Sequence, residues 1–194
     1  MLNIGVTGSI GSGKTTVCQI FETLGIPVYY ADNRGNYLLQ NNDKVKSQVL
    51  SAFGESIRGP GQIIDRALLA EIVFNDSAKL DTLEKIIHPA VFEDFNTWAA
   101  SKKSPYVIKE AALLFETGSY KELDKIITVA APFEIRLERV LKRSQITEEQ
   151  VRAREARQWP EEKKIEMADF VIQNTERQLL MPQVLELHKV FFAL

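Results

Sequence analysis

Apolar positions alternate with small or polar ones at the start of the chain: Leu2, Ile4 and Val6 flank Asn3 and Gly5, a period of two that predicts a strand. Glycines follow at 8, 11 and 13. From Thr15 onward the spacing of Val17, Cys18, Ile20, Phe21 and Leu24 is helical, and Gly25 ends it. The apolar run Ile26-Pro27-Val28-Tyr29-Tyr30 predicts a second strand. Strand, loop, helix and strand thus close within about thirty residues, a connection that implies parallel strands. Three more strand-like runs, at 106–108, 126–130 and 170–172, each stand before a polar or Pro-bearing segment and a helical pattern. Five strands interleaved with helices predict an α/β, doubly wound parallel sheet.

Between the second and third strands the period changes. Leu68, Leu69, Ile72 and Val73, then Leu83, Ile86 and Ile87, are spaced as on helices, so residues 32–103 read as an inserted helical region. Gly54 and Gly59-Pro60-Gly61 punctuate it, but no Ser-, Gly- or Pro-rich linker, repeat or low-complexity tract marks a domain boundary. The expected plan is a single domain: a core of about 1–31, 104–132 and 165–194, the helical region of about 32–103, and a second helical appendage at about 133–164.

Composition narrows the chemistry. With 45% apolar and 26% charged residues in 194, the chain has ordinary globular composition. Its net charge of -2 gives no global basic excess, so neither nucleic acid nor a membrane surface is an expected partner, and any anion site must be local. Cys18 is the lone cysteine, and with only two histidines a structural zinc cage is not expected. The opening Met1-Leu2-Asn3-Ile4-Gly5 lacks a basic flank, and no apolar run approaches the roughly twenty residues of a membrane span. A reducing, cytoplasmic setting is the expectation.

The local anion site is legible. Gly8-Ser9-Ile10-Gly11-Ser12-Gly13-Lys14-Thr15 satisfies the P-loop pattern, placed between a strand and a helix. Glycines there let successive amides turn inward on phosphate oxygens, and the helix beginning near Lys14 adds the positive end of its dipole. Gly8, Gly11, Ser12, Gly13, Lys14 and Thr15 are therefore candidate ATP-binding residues, with Lys14 bridging the terminal phosphates and the Thr15 hydroxyl on magnesium. A guanine-reading switch would carry Asn-Lys-x-Asp, which is absent from the sequence. A kinase for a small acceptor needs the cradle, an acceptor-side base, a metal carboxylate and a mobile cationic cover.

Each part has a candidate. Asp32 follows the second strand at its carboxyl end, the side on which the P-loop also lies, and is the candidate base for an attacking hydroxyl; the structural alternative is a helix N-cap. Glu110 ends the third strand and would either hold magnesium through water or hold the acceptor, or stand as an ordinary surface carboxylate. Glu116 is similar but further along, and His88 is a weaker acceptor-side candidate. Six of the ten arginines, at 136, 139, 143, 152, 154 and 157, fall within 22 residues. Beside Glu134, Glu138, Glu148, Glu149 and Glu155 they read either as a solvated helix face or, over a triphosphate, as a cover. Arg139 and Arg143, four apart, share a face and are the candidate catalytic cations.

Taken together, Gly8 to Thr16, Ala31-Asp32, Asp65-Arg66, His88-Pro89, Leu113-Leu114-Phe115-Glu116, Arg139 with Arg143, Arg154 with Gln158, and Ala168-Asp169-Phe170-Val171-Ile172 leading to Asn174 resemble the dephospho-coenzyme A kinases over nearly the whole chain. The resemblance implies a P-loop NTPase-type three-layer fold with a parallel five-stranded sheet, an acceptor-binding helical region and a helical lid. It implies ATP-dependent phosphorylation of the ribose 3′-hydroxyl of dephospho-coenzyme A, with Mg²⁺. By position it puts Gly11 to Thr16 on ATP, Asp32 on the acceptor hydroxyl, Arg139 and Arg143 in the lid, and Asn174 near the adenine. Ser9 stands where the family commonly has Gly, Thr15 where it has Ser, Glu110 where it has Asp, Ala112 where it has Pro, and Asn36 where Arg or His is frequent, with Arg34 close enough to substitute. A kinase for a nucleoside monophosphate or another small hydroxyl compound, and a nucleotide-dependent switch, are the alternatives.

Overall fold

In a computed structural model, which describes residues 1–74, 76–175 and 177–194, the period-two run at the start forms β1 (Leu2–Thr7), which leads through the glycine loop into α1 (Lys14–Thr23). β2 (Val28–Tyr30) follows, and then the helices α2 (Ala31–Asn41), α3 (Asp43–Phe53), α4 (Arg66–Phe74) and α5 (Ser77–Ala100). The chain returns to the sheet with β3 (Tyr106–Glu110) and β4 (Lys125–Ala130). α6 (Phe133–Arg143), α7 (Glu148–Glu155), α8 (Glu161–Met167), β5 (Phe170–Gln173) and α9 (Leu180–Ala193) complete it. Two compact units emerge, one of Met1–Tyr30 with Lys102–Leu194, the other of Ala31–Ser101.

The first unit holds the sheet, with order β2-β3-β1-β4-β5 and every pair parallel, so the expected five-stranded α/β sheet is present. Alternation along the strands sorts side chains onto two faces. Ile4, Val6, Tyr106, Ile108, Ile127 and Val129 pack with Val17, Cys18 and Phe21 of α1 and Val184, Leu187 and Phe191 of α9. The opposite face carries Gly5, where an added Cβ would lie 2.7 Å from Leu114 and 2.8 Å from Leu123, and Thr128, whose hydroxyl donates to the Lys164 carbonyl of α8 at 3.2 Å. Both faces are covered, as a parallel sheet requires.

One connection departs from the sequence expectation. β3 is followed by no α-helix. Residues 112–117 are wound into turns, with Thr117 N–H on the Leu113 carbonyl at 3.1 Å and Gly118 N–H on the Phe115 carbonyl at 3.0 Å, before a single 3₁₀ turn at Ser119–Glu122. Gly118, at φ 73°, takes the left-handed conformation that ends the winding. Thr117 and Ser119 hydroxyls then bond the Leu113 and Leu114 carbonyls, supplying locally what a helix would have supplied.

The second unit has its own core of Leu39, Val45, Val49, Ile57, Ile64, Leu69 and Val73. Asn42 caps α3, Asp65 accepts from Ala67 and Leu68 N–H at the start of α4, and Asp76 caps α5 through Ala78 and Lys79 N–H. Arg34 of α2 grips Asp94 of α5 through two bonds of 2.8 and 2.6 Å. α5 runs unbroken through Pro89. Among the described residues no helix is long and apolar enough to cross a membrane.

Candidate phosphate-binding site

The glycine loop is possible only with these glycines. Gly8, Gly11 and Gly13 have φ of 150°, 80° and 97°. A Cβ at Gly8 would stand 2.3 Å from the Val129 carbonyl oxygen, at Gly11 2.5 Å from that of Arg136, and at Gly13 2.1 Å from Asn174 Nδ2. β4, α6 and the residue after β5 therefore press directly on the loop backbone. Gly13 is also the N-cap of α1 and offers no side chain to it, so nothing competes with an anion for the first-turn amides. Lys14 folds back over the loop, Nζ donating to the Gly8 carbonyl at 2.9 Å and reaching the Ser9 carbonyl at 3.5 Å. Thr15 and Thr16 are exposed on the first turn of α1, and the hydroxyls of Ser9 and Ser12 are buried with no hydrogen-bond partner.

Asn174 lies against the loop. Its Nδ2 donates to the Ser12 carbonyl at 2.7 Å, its N–H to Ala130 at 2.8 Å, and its Oδ1 receives Arg139 Nη2 at 3.4 Å. The carboxamide is thus engaged in shaping the loop, and it brings Arg139 to the loop's edge. Arg139 Nη1 is buried with no hydrogen-bond partner, a donor that an arriving phosphate oxygen would satisfy. Arg143, one turn further along α6, is exposed, as is Arg154.

Two arginines of the cluster do other work. Arg152 pairs with Glu148 one turn away at 2.7 Å, and Lys142 pairs with Glu138, the solvated-face pattern. Arg136 is 3% exposed. It donates through Nε to the Ala131 carbonyl at 2.8 Å, through Nη1 to the Ile10 carbonyl at 3.2 Å, and through both Nη atoms to Glu155 at 3.0 and 2.6 Å, with Glu161 at 3.6 Å. It is a strut that joins the loop to α7 and α8. Its signal in the sequence is an arginine at an apolar helical position, three after Phe133 and four before Val140.

Glu110 ends β3, buried at 6% exposure, in register with Val6 of β1 and Tyr30 of β2. Its charge reaches α1. Burial first, and then Glu110, hold the Cys18 thiol well above its ordinary range; burial, a hydrogen bond to Glu22 and Glu110 do the same to the Tyr30 phenol. Glu116 accepts from Trp159 N–H at 2.7 Å and pairs with fully buried Lys164 at 3.1 Å, so it anchors α8 and the residues just before it. Desolvation lowers the Lys164 pKa, only partly offset by Glu116.

The remaining candidates belong to the Ala31–Ser101 unit. Asp32 is not the N-cap but a first-turn residue of α2, exposed, two positions beyond the end of β2 in the chain, with its carbonyl bonded by Asn36 Nδ2 at 3.0 Å. His88 is exposed at mid-α5. Among the described residues no cluster of three or more His, Cys, Asp or Glu could hold a metal by itself. The exposed Thr15 hydroxyl at the first turn of α1 is an oxygen donor of the kind a hard cation such as magnesium takes.

A family model described as dephospho-CoA kinase matches residues 2–179. A dephospho-CoA kinase of Aquifex aeolicus is 41% identical over 177 residues, covering 90% of this chain and 89% of its own. A solved structure from Thermus thermophilus matches with a TM-score of 0.86 and 34% identity over 97% of this chain and 96% of that one. The solved dephospho-CoA kinase of Campylobacter jejuni matches at 0.70 and 29% identity, covering 98% and 97%.

Proposed function

The chain belongs to the dephospho-CoA kinase family and is a phosphotransferase that moves a phosphoryl group from ATP to dephospho-CoA, and from that premise we propose how its residues divide the work. The acceptor atom is the ribose 3′-hydroxyl, and the products are CoA and ADP. The observation that carries the assignment of the site is the uncapped amino end of α1 beneath a loop whose three glycines cannot carry a side chain.

The loop amides and the first turn of α1 receive the β- and γ-phosphates of ATP, where aligned donors and the helix dipole favour negative charge. Lys14, already over the loop at Gly8, follows the terminal phosphate as its bonds loosen. Thr15 would hold magnesium, with Glu110 reaching it through water; when bound, the ion screens the charge that builds on the β- and γ-oxygens. Arg139 meets the transferring group with its unpartnered Nη1, and Arg143 joins it from the same helix face. Asn174 serves nucleotide binding by fixing Ser12 and Gly13. Asp32 accepts the proton of the attacking hydroxyl, and His88 and Arg34 help hold the acceptor. Small molecules are the partners, and the cytoplasm, where buried Cys18 stays reduced, is the setting.

The test is ADP formation with and without dephospho-CoA. Rapid turnover only with the acceptor is expected. Equal turnover without it would instead mark a nucleotide switch, and preference for a nucleoside monophosphate a different kinase.

A further inference from the structure

Ile10, at the middle of the glycine loop, is held at both its polar backbone groups by side chains from outside the loop. Its N–H donates to Gln158 Oε1 at 2.9 Å, and its carbonyl accepts from Arg136 Nη1 at 3.2 Å. Gln158 has a second anchor: its Nε2 donates to the Ala112 carbonyl at 3.2 Å, two residues beyond Glu110. One carboxamide therefore joins the phosphate loop, the turn after β3 and the segment between α7 and α8.

The chemistry of the three partners fixes the side chain. A backbone N–H demands an acceptor and a backbone carbonyl demands a donor, and among side chains of this length only glutamine offers both. A glutamate would turn a carboxylate on the Ala112 carbonyl, and an asparagine would fall one methylene short. The backbone beside Gln158 is itself pinned, because Trp159 N–H bonds Glu116 and the Trp159 ring stacks on Phe115 with 6.1 Å between centroids and 2° between planes. The loop needs such a hold. Glycine-rich backbone loses more conformational freedom on ordering than any other, so a loop with glycines at 8, 11 and 13 is not kept in an anion-receiving shape by its own preferences.

We propose that Gln158 is a positioning residue for phosphoryl transfer: by holding Ile10 opposite Arg136 it pre-orders the loop amides before ATP arrives and ties the loop to the lid base. The proposal rests on the reading that this loop receives the ATP phosphates. Its consequence falls on ATP, not on the acceptor.

The test uses the full-length protein carrying Gln158→Met, which keeps the length and removes both hydrogen bonds. Without nucleotide, the Ile10 amide should exchange with deuterium about tenfold faster or more, while amides of β1 and β4 keep their protection. The KM for ATP should rise about fivefold or more, with the KM for dephospho-CoA unchanged. Gln158→Asn should behave as Gln158→Met does, and it carries the test if the methionine variant does not fold. Unchanged Ile10 exchange, a parallel rise of both KM values, or wild-type ATP KM in Gln158→Asn would overturn the proposal. The reading beneath it fails separately: Lys14→Ala with wild-type ATP affinity would remove the loop from ATP binding, whereas Ile10 exchange is read with no nucleotide present.

Discussion

Lys14 and Asp32 are both charged, but their proposed roles fall on different parts of the reaction profile. Lys14 is held on the Gly8 carbonyl, so on the proposed reading its ammonium is in place before any phosphate arrives and would contribute to binding as well as to the barrier. Asp32 is exposed in the first turn of α2, and its assigned partner is a hydroxyl whose proton moves only during transfer. Asp32→Asn keeps the shape and removes the base. It should lower kcat by at least about a hundredfold, roughly 3 kcal/mol of barrier, with little change in ATP affinity. Lys14→Ala should lower kcat by a similar order and weaken ATP as well. Steady-state kinetics beside nucleotide titration separates the two, and near-normal turnover in Asp32→Asn would end its assignment.

Among the elements, α8 shows how burial makes a helix sensitive to pH. Lys164 has no exposed surface and sits 3.1 Å from Glu116, yet desolvation outweighs that partner and lowers its pKa. The folded protein therefore binds this proton less tightly than the unfolded chain does. Between the depressed folded value and the ordinary lysine value of 10.5, the unfolded state holds more protons, so stability contributed by this site rises with pH across that window. Lys164→Met should flatten the rise, as measured by denaturant midpoints from neutral to alkaline pH; an unchanged slope would show that the burial carries no such penalty. The same elements show what the sequence discloses and what it hides. β1, the loop and α1 are legible because their signals are local: a period of two, three glycines at fixed spacing, a helical run. The connection after β3 is not, because Leu113, Leu114 and Phe115 carry apolar spacing while Thr117 and Gly118 wind the chain into turns. Nor is the division of the arginine cluster. Glu155 has helix-spaced neighbours in sequence but pairs with Arg136 of another helix, and Arg136 takes a buried place between Phe133 and Val140 that local charge patterning cannot distinguish from a solvated one. Gln158 stands out in the sequence only through its pairing with Arg154 in the family resemblance, and what it holds is not legible there, because its partners Ile10 and Ala112 are remote in the chain.

For the whole molecule, a net charge of -2 offers no long-range attraction to a polyanion, so on the proposed reading the affinity for ATP is local, centred on the loop and the arginines beside it. That concentration of binding in one place has a thermodynamic signature. A ligand that binds only the folded state stabilises it by RT ln(1 + [L]/Kd), about 2.7 kcal/mol at a hundredfold excess over Kd. For a chain of 194 residues each kcal/mol raises the melting temperature by roughly 2–4 °C. Saturating ATP should therefore raise the melting temperature by roughly 5–10 °C, read by calorimetry. At the same nucleotide concentration Lys14→Ala should show a much smaller shift, because its loop has lost the cation that holds the terminal phosphates. If ATP raised the melting temperature of both proteins equally, Lys14 would contribute nothing to ATP binding and its assignment to the terminal phosphates would fall.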